Sequence, residues 1–161
     1  MTQHIDVATL IPHQGAMCLL ERVITWSDEH IVLETDTHRA TTNPLRSNGR
    51  LRAIHLCEYG AQAMAVHGAL RLRAAGGARR PGMLVSLRSV AFTRDYVEAL
   101  PGSLRVQAVC LQATPSTLQY EFKVSHGGEL LAEGRAAVVL GARALGIEGD
   151  DDSDGVAGRE L

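Results

Sequence analysis

The sequence predicts an α+β fold in which a curved antiparallel sheet of about six strands wraps one long central helix. Residues 53–72 are rich in Ala, Leu and Met and contain no Pro, which is typical of a long helix. Two strand-like segments precede this helix and about four follow it. One helix covers six strands only if the sheet curls around it, and the sheet then keeps an exposed edge that pairing with a second subunit would hide.

Before the helix, short apolar segments alternate with turn signals. Asp6 precedes an apolar stretch and is the expected cap of a short helix that ends before Pro12. Two segments of high strand propensity are joined by the hairpin turn Ser27-Asp28-Glu29. The expected elements are a short helix at 6–11, strands at 18–26 and 30–37, and a polar loop at 38–52.

After the helix, strand-like segments are separated by turns that contain Gly, Pro or Ser. A flexible basic loop at 73–82 leads to strands at 83–93, 103–112, 118–125 and 129–140. The last three are connected by short turns, so we expect them to form an antiparallel meander. We interpret residues 1–145 as a single domain and residues 146–161 as an acidic, disordered tail.

The central helix carries both an expected core face and a polar strip. Glu58 and Gln62 are four residues apart and His55 lies three residues before Glu58, so the three side chains share one strip. A carboxylate at the edge of a buried helix is costly unless it is paired, hydrogen-bonded or used. The residues expected on the buried face are Ile54, Cys57, Ala61, Met64, Ala65, Gly68 and Leu72.

Composition places the chain among ordinary globular proteins. Its 161 residues are 45% hydrophobic and 21% charged, enough for one domain with a core. Residues 148–161 contain six acids and one base, a net charge of −5, so residues 1–147 carry +3 of the total −2. With 4% aromatic residues and no basic run, nothing points to nucleic acid. We find no segment apolar enough to span a bilayer and no signal peptide.

The cysteines and histidines show no metal-site pattern. Cys18, Cys57 and Cys110 are widely spaced, odd in number and set in apolar segments, which is typical of reduced core residues in a cytosolic protein. No His, Cys or Asp residues have metal-ligand spacing, so no metal is expected. The histidines expected at the surface are His4, His30, His38, His67 and His126.

Two segments resemble motifs of the 3-hydroxyacyl-ACP dehydratases, which have the hot-dog fold. Residues 11–23 read Ile-Pro-His-Gln-Gly-Ala-Met-Cys-Leu-Leu-Glu-Arg-Val and are similar to the Leu-Pro-His-Arg…Leu-Leu-Asp-Arg-Val entry of that family. Residues 58–65 read Glu-Tyr-Gly-Ala-Gln-Ala-Met-Ala and resemble its helix motif Glu-Ala-Met-Ala-Gln. The resemblance extends in layout over about residues 5–140 and implies the hot-dog fold.

One loop departs from the family's pattern. The family has a Gly-His-Phe-Pro-Gly loop before the helix, and its His is the catalytic base. Residues 41–50 here read Thr-Thr-Asn-Pro-Leu-Arg-Ser-Asn-Gly-Arg and contain no His. This resembles a divergent branch of predicted dehydratases, some associated with aryl-polyene or xanthomonadin-type pigment synthesis, which keeps Pro-His-x-Gly-x-Met and the helix Glu. The departure leaves the identity of the base open.

Dehydrating a 3-hydroxyacyl thioester needs a base for the α-proton, an acid for the leaving hydroxyl and a donor for the enolate-like oxygen. Glu58 is the candidate acid, because an apolar tunnel disfavours the charged form of a carboxyl group. His13 is favoured as the base, since Gly15 allows close backbone approach, and His55 is the alternative. Gln62 is interpreted as a residue that orients Glu58, binds the hydroxyl or simply packs.

The expected oxyanion donors are the backbone N–H groups of Leu56 and Cys57 at the helix start. The Cys57 thiol itself is interpreted as a core group and not as a nucleophile.

The resemblance implies an acidic acyl-carrier protein as partner, with the substrate on its phosphopantetheine arm and no other cofactor. A basic entrance should receive it. The candidates for carrier-protein binding are Arg71, Arg73, Arg79 and Arg80, with Arg46, Arg50 and Arg52 before the helix as further candidates. The chain is expected in the cytoplasm as a homodimer, or as a heterodimer with another hot-dog subunit.

The leading functional hypothesis is dehydration of a 3-hydroxyacyl group on acyl-carrier protein to the trans-2-enoyl thioester, in fatty-acid-like or polyene pigment biosynthesis. One alternative is an acyl-thioesterase on the same fold, with Glu58 activating water. The other is a non-catalytic acyl-binding or heterodimer partner subunit that has lost the loop His.

Overall fold

One helix and six strands follow each other in the order that the sequence predicts. The structure is a computed structural model that describes residues 4–78 and 80–141. Arg79 and the predicted acidic tail at 146–161 lie outside the described residues. The elements are β1 Arg22–Trp26, β2 His30–Thr35, α1 Leu56–Ala74, β3 Gly82–Phe92, β4 Leu104–Ala113, β5 Thr117–His126 and β6 Glu129–Leu140.

The strands form one antiparallel sheet in the order β1-β2-β4-β5-β6-β3. The predicted meander is therefore confirmed, because β4 pairs with β5 and β5 with β6. Helix α1 packs across the middle of the sheet, against β2, β4, β5 and β6. The core lies between this helix and the inward-facing side chains of the middle strands, which alternate with exposed ones along β4 and β5.

The first predicted strand is shorter than expected. The segment at 18–26 becomes a strand only from Arg22, because Gly15–Met17 forms a 3₁₀ turn and an extended stretch follows it. In that stretch Leu19 and Leu20 are buried in the core. The short helix near the N-terminus is a 3₁₀ turn at Val7–Thr9, and the Asp6 side chain caps it by accepting from the Ala8 N–H at 3.1 Å.

The predicted buried face of the helix is only partly right: Met64 is buried, and Cys57, Ala61, Gly68 and Leu72 are half-buried. Ile54 is 58% exposed and Ala65 is also exposed, whereas the true core face is rotated around the helix. Small and apolar residues occur nearly all round this helix, so their spacing does not single out one face. The residues that the structure buries are Leu56, Tyr59, Gly60, Gln62, Ala63, Met64, Val66, His67 and Leu70.

A phenyl ring separates the helix from the sheet at its centre. Phe122 on β5 is fully buried and lies beside Gly134 on β6, its partner in the strand register. A Cβ atom added at Gly60 of α1 would lie 2.5 Å from the ring, and one added at Gly134 would lie 2.8 Å from it. Both glycines are therefore required by close packing against one aromatic side chain.

The edge strand β3 is exposed on both faces. Ser89 has φ of +53°, in the left-handed region that is unusual for a residue with a side chain, and the register with β6 shifts between Arg88 and Ala91. A second shift lies between Leu84 and Ser86. The apolar side chains of this strand, hereafter the β3 apolar row, are 36–49% exposed: Met83, Leu84, Val85, Leu87, Val90 and Phe92.

Across residues 4–78 and 80–141, no helix is both long and apolar enough to cross a bilayer. The same residues contain no group of three or more His, Cys, Asp or Glu side chains placed to hold a metal ion.

Candidate active site

The structure brings together the two residues that the sequence predicts as the acid–base pair. His13 lies in the turn between the two short 3₁₀ elements, and Glu58 lies in the first turn of α1. The His13 Nε2 atom is 3.1 Å from Glu58 Oε1. A ring nitrogen and a carboxylate at this distance share a proton directly, which is the arrangement that acid–base chemistry needs.

Gln62 holds this pair in place. Its side chain is fully buried. Gln62 Oε1 accepts the Leu19 N–H at 2.9 Å, and Gln62 Nε2 donates to the Met17 carbonyl at 2.7 Å and to Glu58 Oε1 at 3.3 Å. One amide therefore connects the helix, the carboxylate and the segment that carries His13. Of the three roles considered for Gln62, the contacts favour orientation of Glu58.

Two threonine hydroxyls also hold the segment that follows His13, by hydrogen bonds to its main chain. The Leu19 carbonyl accepts from the hydroxyls of Thr35 at 2.6 Å and Thr37 at 2.7 Å. Gly15 has φ of +58°, which favours glycine, but a Cβ atom there would have no neighbour within 4 Å. Gly15 is thus needed for the turn conformation of this segment, and the expected close backbone approach is not found.

A buried tyrosine next to Glu58 anchors the loop that lacks the family's His. Tyr59 is fully buried, and its hydroxyl lies 3.0 Å from Thr37 Oγ1 and accepts from Asn43 Nδ2 at 3.0 Å. Asn43 also donates to the Thr37 carbonyl at 2.9 Å. Burial raises the pKa of the Tyr59 hydroxyl, so it stays protonated and acts as a hydrogen-bonding group.

The pair is more open to solvent than a tunnel would make it. In the single chain the His13 and Glu58 side chains are 30% and 35% exposed. The apolar tunnel wall expected around Glu58 is therefore incomplete within one chain. Burial raises the pKa of the neighbouring Cys57 thiol, in agreement with its interpretation as a packing group and not a nucleophile.

The remaining candidates around Glu58 have different surroundings. His55 ends the 3₁₀ turn Ala53–His55 that leads into α1. Glu58 hydrogen-bonds with His13 and Gln62, so the structure does not pair it with His55. The sequence predicts the Leu56 N–H as an oxyanion donor, but in the structure this N–H is not free. It donates to the carbonyls of Ala53 and Ile54 in the 3₁₀ turn. Cys57 remains the predicted backbone donor.

The predicted carrier-binding arginines lie at the far end of the helix. Arg71 and Arg73 belong to the last turn of α1, and 15 residues of helix separate Arg73 from Glu58, which is about 22 Å along the axis. Arg71 is partly buried and donates to Cys110 Sγ at 3.4 Å, and Arg80 donates to the Pro115 carbonyl at 2.9 Å. Arg79 lies outside the described residues.

A groove lies instead at the helix start, close to Glu58 in the chain. Its volume is about 630 Å³. Beside it, the Arg50 guanidinium stacks over the Tyr96 ring at 3.8 Å. The groove combines two cations and one carboxylate with apolar surface. Its lining residues are Arg52, Ala53, Ile54, Phe92, Thr93, Arg94, Asp95 and Tyr96.

With this geometry established, comparison with known proteins identifies the family. A family model of ApeP-like proteins, described as ApeP dehydratase, matches residues 5–145. The chain belongs to the ApeP-like dehydratase family. A search of curated proteins found no significant match.

Solved structures agree with this assignment. The ApeP-like chain is similar to a chain of the dehydratase heterocomplex ApeI:P from Xenorhabdus doucetiae, with 25% identity, a TM-score of 0.78 and coverage of 88% of this chain and 95% of that one. AziG from S. sahachiroi matches at 17% identity and a TM-score of 0.60, over 81% and 97% of the two chains. A hypothetical thioesterase from Streptococcus pneumoniae matches at 13% identity and a TM-score of 0.55, over 74% and 88%. The last two likenesses show the hot-dog fold alone.

Two histidines of the ApeP-like chain are not at the surface as predicted. His38 and His67 are fully buried. His67 Nδ1 lies 2.8 Å from the Tyr120 hydroxyl and its Nε2 lies 2.7 Å from the Ser27 carbonyl, so the helix, β5 and the β1–β2 turn meet at one ring. His38 Nε2 lies 2.9 Å from the Leu100 carbonyl. Burial lowers the pKa of both imidazoles.

The sequence analysis also did not identify a buried group of residues that supports the ApeP-like site next to Glu58. Thr37, Asn43 and Tyr59 form a buried hydrogen-bonded cluster, yet each looks like an ordinary loop or helix residue in the sequence. The available signal was the polar Tyr directly after Glu58, because a buried tyrosine hydroxyl needs a hydrogen-bond partner. The partners themselves are distant in sequence and could not be chosen from spacing.

Proposed function

We propose that this ApeP-like chain dehydrates a 3-hydroxyacyl thioester, carried on acyl-carrier protein, to the trans-2-enoyl thioester in fatty-acid-like or polyene pigment biosynthesis. The observation that carries the proposal is the contact of His13 Nε2 with Glu58 Oε1 in a chain of a dehydratase family. The sequence and the fold bring these two residues together from 45 positions apart, with Gln62 holding both sides. Elimination of water needs this kind of proton-transferring group beside the thioester.

The groove at the helix start is the proposed entry for the phosphopantetheine arm. Its two cations, Arg52 and Arg94, outnumber its one carboxylate, Asp95, and therefore favour an anionic partner. Ile54 and Phe92 supply apolar contact for an acyl chain. The part of its lining at residues 52–54 lies four to six residues before Glu58 in the chain. This location favours the arginines before the helix over Arg73 for carrier binding. Charge reversal at Arg52 should therefore weaken carrier affinity at low salt more than Arg73→Glu does.

A second hot-dog subunit is the proposed partner of the β3 apolar row. The row is exposed at the free edge of the sheet, where its unpaired backbone groups are also available. The comparable Xenorhabdus doucetiae chain comes from a heterocomplex, which supports a different hot-dog subunit as the partner. The free edge of the sheet would equally accept a second copy of this chain.

The partner proposal is tested by the oligomeric state. Leu87→Lys places a charge in the middle of the row and should convert a dimer to a monomer in light scattering. Leu111→Lys, at an exposed apolar residue of β4 away from the row, is the matched control and should leave the mass unchanged. A dimer that persists with Leu87→Lys argues against pairing through this row.

The enzyme proposal is tested by mass spectrometry of 3-hydroxyacyl groups on a carrier protein. Wild type should remove one water from the acyl group, and Glu58→Ala should not. Glu29→Ala, which removes an exposed carboxylate at the β1–β2 turn, is the matched control and should retain wild-type turnover. If wild type removes no water from short, long or unsaturated chains, the isolated chain is not a dehydratase.

Two alternatives give different outcomes in the same assay. A thioesterase, in which the partly exposed Glu58 carboxylate activates water, would release the free thiol of the carrier. A non-catalytic partner subunit would show neither reaction. In that case Glu58→Ala and His13→Ala would leave the activity of a complex unchanged.

A further inference from the structure

We infer, resting on the proposed dehydratase function, that Glu58 carries out both proton transfers of the dehydration and that His13 is a positioning residue which holds the Glu58 carboxylate. This differs from the roles that the sequence suggests, in which Glu58 is the acid and His13 is the base. The inference rests on the direction of the hydrogen bonds around the pair.

The first step is the orientation of the Gln62 amide. Its two ends are fixed by main-chain groups that have only one possible role each. The Leu19 N–H can only donate, so the atom at 2.9 Å from it is the amide oxygen, and the Met17 carbonyl can only accept, so the atom at 2.7 Å from it is the amide nitrogen. The second hydrogen of that nitrogen points to Glu58 Oε1 at 3.3 Å. Glu58 Oε1 is therefore an acceptor.

The second step is the buried cluster of Asn43, Tyr59 and Thr37. Its hydrogen bonds form a series in which each residue donates to the next. Asn43 Oδ1 accepts the Leu45 N–H at 2.9 Å, so Nδ2 is the donor to the Tyr59 hydroxyl. The Tyr59 hydroxyl then donates to Thr37 Oγ1, and the Thr37 hydroxyl donates to the Leu19 carbonyl at 2.7 Å. Hydrogen bonds that run in series polarise one another.

The third step follows Leu19 to the carboxylate. The N–H of Leu19 donates to Gln62, and Gln62 donates to Glu58. Glu58 Oε1 therefore lies at the acceptor end of the two bonds made by the Leu19 N–H and the Gln62 amide. The buried cluster holds the same residue, Leu19, through its carbonyl, which belongs to a different peptide group.

The fourth step is the tautomer of His13. Glu58 Oε1 accepts from Gln62 and can also accept from His13 Nε2 at 3.1 Å, provided that the ring carries its hydrogen on Nε2 and not on Nδ1. His13 Nδ1 is buried and has no hydrogen-bond partner within residues 4–78 and 80–141. A proton on both ring nitrogens would leave a buried N–H without an acceptor, which is costly. The ring therefore carries its hydrogen on Nε2, where it is donated to Glu58. Nδ1 has the free lone pair but is buried, so neither nitrogen is available to take a proton from a substrate.

The remaining reactive atom is Glu58 Oε2. No described residue hydrogen-bonds to it, and the side chain is 35% exposed. Oε2 takes the proton from C2 of the 3-hydroxyacyl thioester, and the electron pair of that bond moves into the thioester as an enolate. The pair then forms the C2–C3 double bond, the C3–oxygen bond breaks, and Oε2 returns the proton to the leaving hydroxyl as water. Glu58 begins and ends as a carboxylate.

The tautomer is tested by ¹⁵N NMR of the full chain, independently of any activity. The His13 signals, assigned by their loss in His13→Gln, should show a protonated Nε2 and an unprotonated Nδ1. His67 is an internal reference, because its Nε2 faces the Ser27 carbonyl and must carry the hydrogen there. A protonated Nδ1 at His13, alone or together with Nε2, overturns the inference whatever the chain catalyses.

The roles are tested by turnover of a 3-hydroxyacyl carrier protein. His13→Gln retains an N–H donor for Glu58, so water loss should continue with a rate about 10- to 100-fold below wild type. Glu58→Gln removes the proton-transferring group, so the rate should fall by about 10³-fold or more. Exchange of the C2 hydrogen of a saturated acyl thioester in D₂O should likewise survive in His13→Gln and disappear in Glu58→Gln.

The outcomes separate this inference from the proposed function. If wild type removes water and folded His13→Gln is as inactive as Glu58→Gln, the dehydratase function stands and His13 is the base, which overturns the inference. If wild type removes no water, the proposed function fails together with both proton transfers, and the NMR measurement still decides the tautomer.

Discussion

The most direct quantitative prediction concerns Gln62, whose buried amide satisfies two main-chain groups. In Gln62→Leu the Leu19 N–H loses its partner in a fully buried place and the Met17 carbonyl loses its partner in a partly buried one. An unsatisfied buried group costs about 1–3 kcal/mol, so the two together should cost about 2–4 kcal/mol of the free energy of unfolding. A domain of this kind has about 5–15 kcal/mol in total, so the loss is large.

Urea unfolding followed by circular dichroism measures this loss, with the slope of the transition compared between variants. Gln107→Leu is the matched control, because Gln107 lies exposed on β4 and its replacement should change stability by at most about 0.5 kcal/mol. Gln62→Glu is a second variant that keeps the size and the acceptor but loses both donors, so it should also be destabilised at neutral pH. If Gln62→Leu unfolds within about 0.5 kcal/mol of wild type, the amide only fills space and its role in holding the pair is refuted.

Three further perturbations test other parts of the structure. Burial lowers the pKa of His67 and of His38 below the ordinary 6.5, so the unfolded chain binds these two protons first. Stability should be full above pH 6.5 and fall below it, with a slope that approaches about 1.4 kcal/mol per pH unit for each imidazole. His67→Gln should remove one imidazole's share of that slope from urea midpoints measured between pH 7.5 and 5.5, and the share of His38 should remain. Gly60→Ala should gain about 1 kcal/mol of helix propensity but lose about 1–3 kcal/mol by collision with Phe122, and Phe122→Leu should relieve the net loss in a double-mutant cycle. Tyr59→Phe leaves a buried Asn43 donor without its acceptor and should lower the free energy of unfolding by about 1–2 kcal/mol in the same titration, whereas no change would show that water replaces the hydroxyl.

The fold could be predicted largely from the sequence, because its elements are signalled locally. The segment at 129–140 was predicted with the bounds that β6 has, and the other late strands differ by one or two residues at their ends. The helix was found from composition, but its buried face was not. Composition depends on the residues of one segment alone, whereas the buried face depends on which neighbours pack against it, and the sequence does not contain that information locally.

The site could be predicted only in part, because short motifs are visible in the sequence but the contacts between distant segments are not. His13 and Glu58 were chosen through motif resemblance, and the structure places them 3.1 Å apart. The expected apolar enclosure of Glu58 is not found in the single chain, where its side chain is 35% exposed. His67 and Tyr120 illustrate what spacing cannot supply: each is one polar residue in an apolar stretch, and only the packing of α1 against β5 makes them a buried pair.

The Phe122 ring also limits which substitutions related proteins with this fold can accept. Gly60 and Gly134 each lack a side chain because the same ring occupies the space on both sides. A substitution at any one of the three positions therefore meets an obstacle or leaves a void that the other two do not correct. We expect the three to vary together among related chains or not at all, so a homologue with a smaller residue in place of Phe122 should have gained side chains at the glycine positions.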